Sequence, residues 1–339
     1  MESKSKGLRR YMVVGACVAL SVIASAYFYW RGEAAKPSTN QPHIRIAVSQ
    51  TPLSSPFFIA SQLKLFQRQG LHVELVPCSG GVACAESLFR ADVDYATASE
   101  SVAMFKSFER QDFVLLASFV SSDNDLKLLT LENRDINGIQ DLKGKKVGVI
   151  KASSSEFYFD SVLIANNLKH LDLEKVYLTP DQLNQALYGF KVDAISVWEP
   201  WGYRTEMTSS SKVINLGLVG IYNLSFNLMT MKDRVEQSDD ESIRLLEALK
   251  QAIAWMNDNP DQARYWVANS LNIREHQLEW SWQDYAFRLS LGNALLSNIQ
   301  LQARWAIENN LVDGSLPDYR RYFVSEPLEQ VLQTEVSFK

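Results

Sequence analysis

Hydrophobic alternation and helical spacing follow one another along the chain in a repeated order. Residues 44–48, Ile-Arg-Ile-Ala-Val, alternate and are rich in β-branched side chains, which predicts a strand that ends among Pro52, Pro56 and hydroxyl residues. Helical spacing takes over from Phe57 to Gln69, with Gly70 as its stop. Residues 71–76 read as a second strand, Ser79-Gly80-Gly81 as a turn, the stretch through Glu86, Leu88 and Phe89 as a second helix, and 94–98 as a third short strand. Strand, loop and helix in this repetition predict a parallel sheet with right-handed crossovers. The order restarts with a strand at 145–150, a small polar loop at 152–156 and a helix over 157–168. Strands at 176–178 and 194–198 flank a helix at 181–188. Beyond about Met229 helical spacing dominates, over 239–257, 260–270, 275–289 and 295–309. It carries Trp255, Trp266, Trp280, Trp282 and Trp305, which reads as packing between helices rather than a cofactor box.

The N-terminus bears on location. Lys4, Lys6, Arg9 and Arg10 precede an uncharged apolar run over residues 11–30, long enough for a helix to cross the bilayer with the basic end in the cytoplasm. Ala24-Ser25-Ala26 resembles a signal-peptidase site, so cleavage competes with anchoring. The run nevertheless continues through Tyr27, Phe28, Tyr29 and Trp30, side chains suited to a membrane interface, and the anchor is the favoured reading. Lipidation at Cys17 has too short an apolar stretch before it. Residues 1–30 are thus expected to be an anchor or signal segment. Residues 31–43, with Pro37 and Pro42, are expected to be a linker.

The 339 residues suffice for two packed lobes, and a formal charge of −5 with mixed signs offers no extended basic face for nucleic acid. Cys78 and Cys84 fall in a segment expected outside the cytoplasm. They are readable either as a disulfide or as two small buried thiols. Their spacing is not that of a zinc site, and no metal or cofactor is expected. His43, His72, His170 and His276 fall in the linker, a strand, a helix end and a tail helix. No HExxH, GxSxG or Walker A motif is present, so no catalytic residue is assigned and the chain is not expected to be an enzyme.

Several segments resemble one family, in matching order and spacing over residues 44–338. They are 44–60 with Lys64-Leu65-Phe66, 70–76, Ser79-Gly80-Gly81 leading into 91–96, 141–149, 185–194 and Trp198-Glu199-Pro200-Trp201. Together they are similar to the extracytoplasmic solute-binding proteins of the nitrate, sulfonate and taurine receptors and the thiamine-pyrimidine (NMT1/THI5-like) group. The resemblance implies an α/β, type II periplasmic-binding-protein fold: two α/β lobes joined by two crossing strands, a cleft between them, and a helical C-terminal region. Residues 44–134 plus 225–339 would form lobe I and 135–224 lobe II.

Two of the matching pieces have physical reasons of their own. Ser79-Gly80-Gly81 lets backbone N–H groups approach a ligand without Cβ obstruction. Ala152 to Ser155 would sit at a helix N-terminus, where the serines either hold a polar ligand group or cap the helix. Further cleft positions follow from the resemblance: Ser49, Gln50, Thr51, Ser54, Ser55, Phe57, Gly80, Gly81, Ser99, Glu100 and Ser101 from the first lobe, and Ser153, Ser154, Ser155, Glu156, Trp198 and Glu199 from the second. Trp198 would be a stacking wall and Glu199 an acceptor for an amine, with a structural carboxylate as the alternative. The implied function is capture of a small polar ligand, an aminosulfonate, sulfonate or aminopyrimidine, by lobe closure at the periplasmic face of the inner membrane. The partners would be an ABC permease and ATPase; a membrane sensor protein is the alternative, and a pyrimidine-synthase-like enzyme the least favoured.

Overall fold

The computed structural model describes residues 43–334 and Val336, so the expected anchor and most of the linker lie outside the described residues. Among the described residues no helix is long and apolar enough to cross a membrane.

The alternation at the start of the chain becomes β1 (His43–Ser49), and the next two strands are β2 (His72–Cys78) and β3 (Tyr95–Ser99). Both pair with β1 in parallel. The single helix expected over 57–69 is three pieces: a 3-10 turn at Pro52–Ser54, α1 (Ser55–Gln62) and α2 (Leu65–Arg68). Pro56 sits in the first turn of α1, where a missing N–H costs no hydrogen bond, and Lys64 breaks the helix by adopting a left-handed φ of 56°. Next come α3 (Gly80–Phe89) and α4 (Glu100–Ser107). Phe57 packs edge-on against Phe119 with ring centroids 5.0 Å apart, both fully buried beneath this sheet.

Four strands up to the helical tail were not expected from the periodicity, among them β4 (Phe113–Ser122) and β5 (Leu126–Leu131), both buried almost throughout; the other two are β9 (Val213–Asn215) and β10 (Leu224–Met231). β4 completes the first sheet with β10 (Leu224–Met231) and β11 (Ala286–Ser290), in the order β11-β4-β10-β3-β1-β2. β5 joins a second sheet with β6 (Lys146–Val149), β7 (Glu174–Tyr177), β8 (Ala194–Trp198) and β9 (Val213–Asn215), in the order β7-β6-β8-β5-β9. The chain therefore passes between sheets twice, at residues 123–125 and 216–223. A lobe boundary at 134/135 would have left β5 with the first lobe, whereas its pairing with β8 and β9 places it in the second sheet.

Helices α5 (Ser154–Ala165), α6 (Pro180–Tyr188) and α7 (Trp201–Thr208) accompany the second sheet. Its own core gathers Leu129, Leu131, Leu183, Leu187, Ile195 and Val197. The helical tail comprises α8 (Lys232–Gln237), α9 (Asp239–Asp258), α10 (Pro260–Leu271), α11 (Glu275–Trp282), α12 (Asn293–Glu308) and α13 (Glu326–Leu332). Trp255 of α9 and Trp266 of α10 stack with centroids 4.7 Å apart. The helix expected over 275–289 stops at Trp282, and the remainder is β11. There Phe287 and Leu289 point inward while Ala286 and Arg288 face solvent, a period-2 pattern that pairs antiparallel with β4.

Candidate functional site

Parallel strands with helices after them leave their carboxyl ends facing one side, and in open α/β sheets that side holds the ligand. Here the carboxyl ends of β1, β2 and β3 in one sheet, and of β6 and β8 in the other, surround a cavity of about 280 Å³. Ser49, Thr51, Leu53, Ser79, Gly80, Gly81, Val82, Ser99, Val102, Leu224 and Phe226 reach it from the side of the first sheet. Ile150, Lys151, Ser153, Ser154, Pro180 and Trp198 reach it from the side of the second, and Asp125 enters from the first crossing.

Three helix N-termini meet this space: Gly80 and Gly81 open α3, Ser99 caps α4 by accepting from Val102 N–H, and Ser153 caps α5 by accepting from Ser155 N–H. Their unpaired N–H groups and aligned peptide dipoles favour a negatively charged ligand group. Gly80 takes φ +86°, a conformation that suits glycine, and a Cβ on Gly81 would lie 3.0 Å from Ala98 Cα, so this turn lies tight on β3. Cys78 and Cys84 bracket the turn with Cα atoms 5.5 Å apart, within the span of a disulfide. The hydroxyls of Ser49 and Thr51 are buried beside the cavity without a hydrogen-bond partner among the described residues. A buried hydroxyl left unpaired costs roughly 1–3 kcal/mol, which a ligand oxygen would offset.

Of the positions expected in the cleft, Ser49, Thr51, Gly80, Gly81, Ser99, Ser153, Ser154 and Trp198 line this cavity. The others are engaged elsewhere. Gln50 is exposed and its amide turns back to Val48 O. Ser55 donates to Pro52 O, Ser54 is buried beneath the loop, and Phe57 belongs to the core. Ser101 donates to Gln302. Ser155 donates to Ser196 O and accepts from Ile150 N–H, tying α5 to the second sheet. Glu156 accepts from Ala152 N–H, Lys175 and Tyr177.

Glu100 and Glu199 are structural carboxyls. Glu100 accepts from Tyr222, Ser225, Gln302 and Asn298, and burial holds its pKa above the usual carboxylate range. Glu199 accepts from Tyr203 N–H and Trp280 Nε1, and burial raises it likewise. The carboxyl that does face the cavity, Asp125, carried no sequence signal, because it stands in a short connection that only pairing of the two sheets brings there. Lys151 and the apolar liners Leu53, Val82, Val102, Ile150, Leu224 and Phe226 were likewise not singled out. Leu53, Val82, Val102, Ile150 and Lys151 nevertheless adjoin or end segments that were, whereas Leu224 and Phe226 do not.

The four histidines stand away from the cavity, and among the described residues no group of three or more His, Cys, Asp or Glu side chains could hold a metal ion. The two serine roles separate by measurement. Ser155→Ala is expected to lower the unfolding free energy by about 1–2 kcal/mol through loss of its buried bridge, while Ser154→Ala stays within about 0.5 kcal/mol of the parent and weakens ligand binding. Urea denaturation beside calorimetry checks both.

A family model described as NMT1/THI5 like matches residues 51–263. The chain belongs to this family. A protein of Bacillus subtilis (strain 168), named as an aliphatic sulfonates-binding protein, is 28% identical over 228 residues, spanning 65% of this chain and 67% of that one. The periplasmic aliphatic sulphonate binding protein SsuA from Escherichia coli has the same fold, with a TM-score of 0.74 at 19% identity over 84% of this chain and 93% of its own. So does the alkanesulfonate-binding SsuA from Xanthomonas axonopodis pv. citri bound to MOPS, with a TM-score of 0.71 at 18% identity over 85% and 100%. The fold is that of periplasmic binding proteins, as expected from the sequence. It also serves the desulfurization enzyme DSZB, at a TM-score of 0.64 and 17% identity over 86% of this chain and 99% of its own, so family chemistry has to be argued from the site.

Proposed function

We propose that the protein captures a small sulfonate-bearing solute in this cavity, outside the cytoplasm and without transforming it, and passes it to an ABC permease and ATPase. One observation carries the reading: three helix N-termini and two unpartnered buried hydroxyls share a single cavity whose remaining walls are mostly apolar. A sulfonate presents three acceptor oxygens and one negative charge to such donors. An attached organic body would occupy the space between Leu53, Val102, Ile150, Trp198 and Phe226. Bare nitrate would leave those walls without a partner.

The relatives named for aliphatic sulfonates and the sulfonate-bearing MOPS in the Xanthomonas protein support this chemistry. The periplasmic setting of the structural neighbours and the basic-then-apolar N-terminus support export. In that oxidising setting the Cys78–Cys84 pair would be a disulfide fixing the glycine turn. The relatives named as binding proteins support capture without transformation. Trp198 in the wall gives a second reading, an aminopyrimidine stacked on the indole.

Calorimetric titration of the protein with alkanesulfonates, aminosulfonates and aminopyrimidines tests this. Sulfonates are expected to bind in the micromolar range or tighter. Binding of the pyrimidines alone would replace the sulfonate reading, and no binding of either class would sink the proposal. Gly81→Val, whose Cβ would press on Ala98 and Ser99, is expected to push the α3 N-terminus off the cavity and weaken binding roughly tenfold or more, about 1.4 kcal/mol.

A further inference from the structure

The three glutamates expected in the cleft, Glu100, Glu156 and Glu199, are all turned into structural networks, yet one carboxyl remains in the cavity. Asp125 stands between β4 and β5, 1% exposed. Its Oδ1 accepts from the Tyr285 hydroxyl at 3.1 Å, while Oδ2 has no hydrogen-bond partner among the described residues. Its backbone oxygen accepts from Glu199 N–H at 3.1 Å, which sets it beside Trp198 in the wall.

No neighbouring cation satisfies that oxygen. Lys127 Nζ is committed to Asn124, whose side-chain oxygen lies 2.7 Å away, and Lys151 is an exposed rim residue with Nζ 5.5 Å from the Tyr177 ring centroid. The other ionisable groups acting on Asp125 are Glu199, Asp284 and Tyr285. Glu199 and Asp284 add negative field and Lys127 opposes it. Asp284 is itself held by Asn124 Nδ2, and Glu199 by Tyr203 N–H and Trp280. A buried carboxyl oxygen without a partner, in a cavity whose other polar liners are chiefly hydroxyls and helix N-termini and include no neighbouring cation directed at it, is matched by a ligand that brings a donor of its own.

We propose that Asp125 makes the cavity selective for sulfonates that also carry a cationic nitrogen, with the ligand ammonium donating to Asp125 Oδ2 while the sulfonate rests on the helix N-termini. This inference rests on the sulfonate reading above and narrows it to aminosulfonates. It has a second consequence. Burial, followed by the charge of Glu199, holds the Asp125 carboxyl up to about 8, so in the free protein at neutral pH it keeps its proton. Pairing with an ammonium requires the carboxylate, so the carboxyl O–H bond breaks and the proton leaves to the buffer as the ion pair forms. The ligand nitrogen is already protonated and neither gains nor loses a proton.

Aminopropanesulfonate and butanesulfonate differ by one terminal ammonium against one methyl and are the probes. Calorimetry at pH 7 is expected to show the aminosulfonate binding at least ~10-fold tighter, a charge-assisted preference. Its heat should vary with the ionisation enthalpy of the buffer as for release of close to one proton, whereas butanesulfonate releases none. Asp125→Asn, close in shape and able to accept from Tyr285, should equalise the two affinities and abolish proton release, with butanesulfonate binding retained. Equal affinities in the parent protein overturn the inference, as does a preference that survives Asp125→Asn or a variant weakened equally toward both probes. Each of these results leaves the sulfonate reading standing, since butanesulfonate still binds the parent; binding of neither probe overturns both. The proton count on the parent protein decides the matter even where a variant fails to fold.

Discussion

Glu100→Ala is expected to cost about 3–5 kcal/mol of unfolding free energy and to leave ligand affinity in the folded fraction nearly unchanged. The carboxyl is fully buried and gathers donors from distant parts of the chain: Tyr222 and the N–H and hydroxyl of Ser225 at the second crossing and start of β10, and Gln302 and Asn298 on α12. Truncation removes five hydrogen bonds to a buried carboxyl at once, strands the Ser225 N–H and opens a cavity in the packed interior, while Tyr222, Asn298 and Gln302 keep Ser101, Asn223 and Asn298 as partners. Glu100→Gln should lose less, because its one amide oxygen can keep the Tyr222 and Gln302 side of the network. Urea denaturation of both variants, with sulfonate titration of the folded protein, gives the answer. A loss under about 1 kcal/mol together with weakened binding would return Glu100 to the ligand contacts.

The second large effect is one of pH. Stability of the ligand-free protein is expected to fall as the pH rises through the window from about 4 to about 8. The Asp125 carboxyl is raised from 3.8 to about 8 by burial and then by Glu199, so across that interval the folded chain keeps a proton that the unfolded chain has lost. With more protons bound in the folded state, the free energy of unfolding decreases as pH increases. Burial shifts Glu100 and Glu199 in the same direction, which adds to the slope. Each pK unit corresponds to about 1.4 kcal/mol, so the change attributable to Asp125 is on the order of a few kcal/mol. Denaturant melts at several pH values, in the parent and in Asp125→Asn, measure it as a difference of slopes. Parallel slopes would mean that the Asp125 carboxyl ionises in the folded protein as an ordinary carboxylate does.

These two predictions concern residues that the sequence treats differently. Glu100 stands out in a Ser-Glu-Ser segment at the end of a strand and invites a ligand role. Its destination is decided by Tyr222 and Gln302, 122 and 202 residues away in the chain. Asp125 sits in Ser-Ser-Asp-Asn-Asp, where nothing distinguishes it from a solvated turn, and becomes a cavity residue because β4 and β5 belong to different sheets. Those strands escaped notice for a related reason. Phe113–Ser122 is buried on both faces and so reads as an unbroken apolar run without period 2. β11 was legible in principle, since Phe287 and Leu289 alternate with Ala286 and Arg288. It was absorbed into the helical spacing that precedes it.

What the sequence determined by itself is local. Alternating runs bounded by glycine, proline and serine specify the parallel strands of both sheets, and the serines and glycines after those strands are the residues that can open or cap a helix at its N-terminus. Eight of the seventeen expected contacts line the cavity for that reason: a strand end and the helix start beside it are neighbours in the chain as well as in space. Tertiary structure decided the rest. Which carboxyl faces the ligand, which serine ties a helix to a sheet and where the chain crosses between sheets depend on partners more than a hundred residues apart in several cases. A buried polar group is defined by whatever stands opposite it, and residue order along one strand does not carry that information.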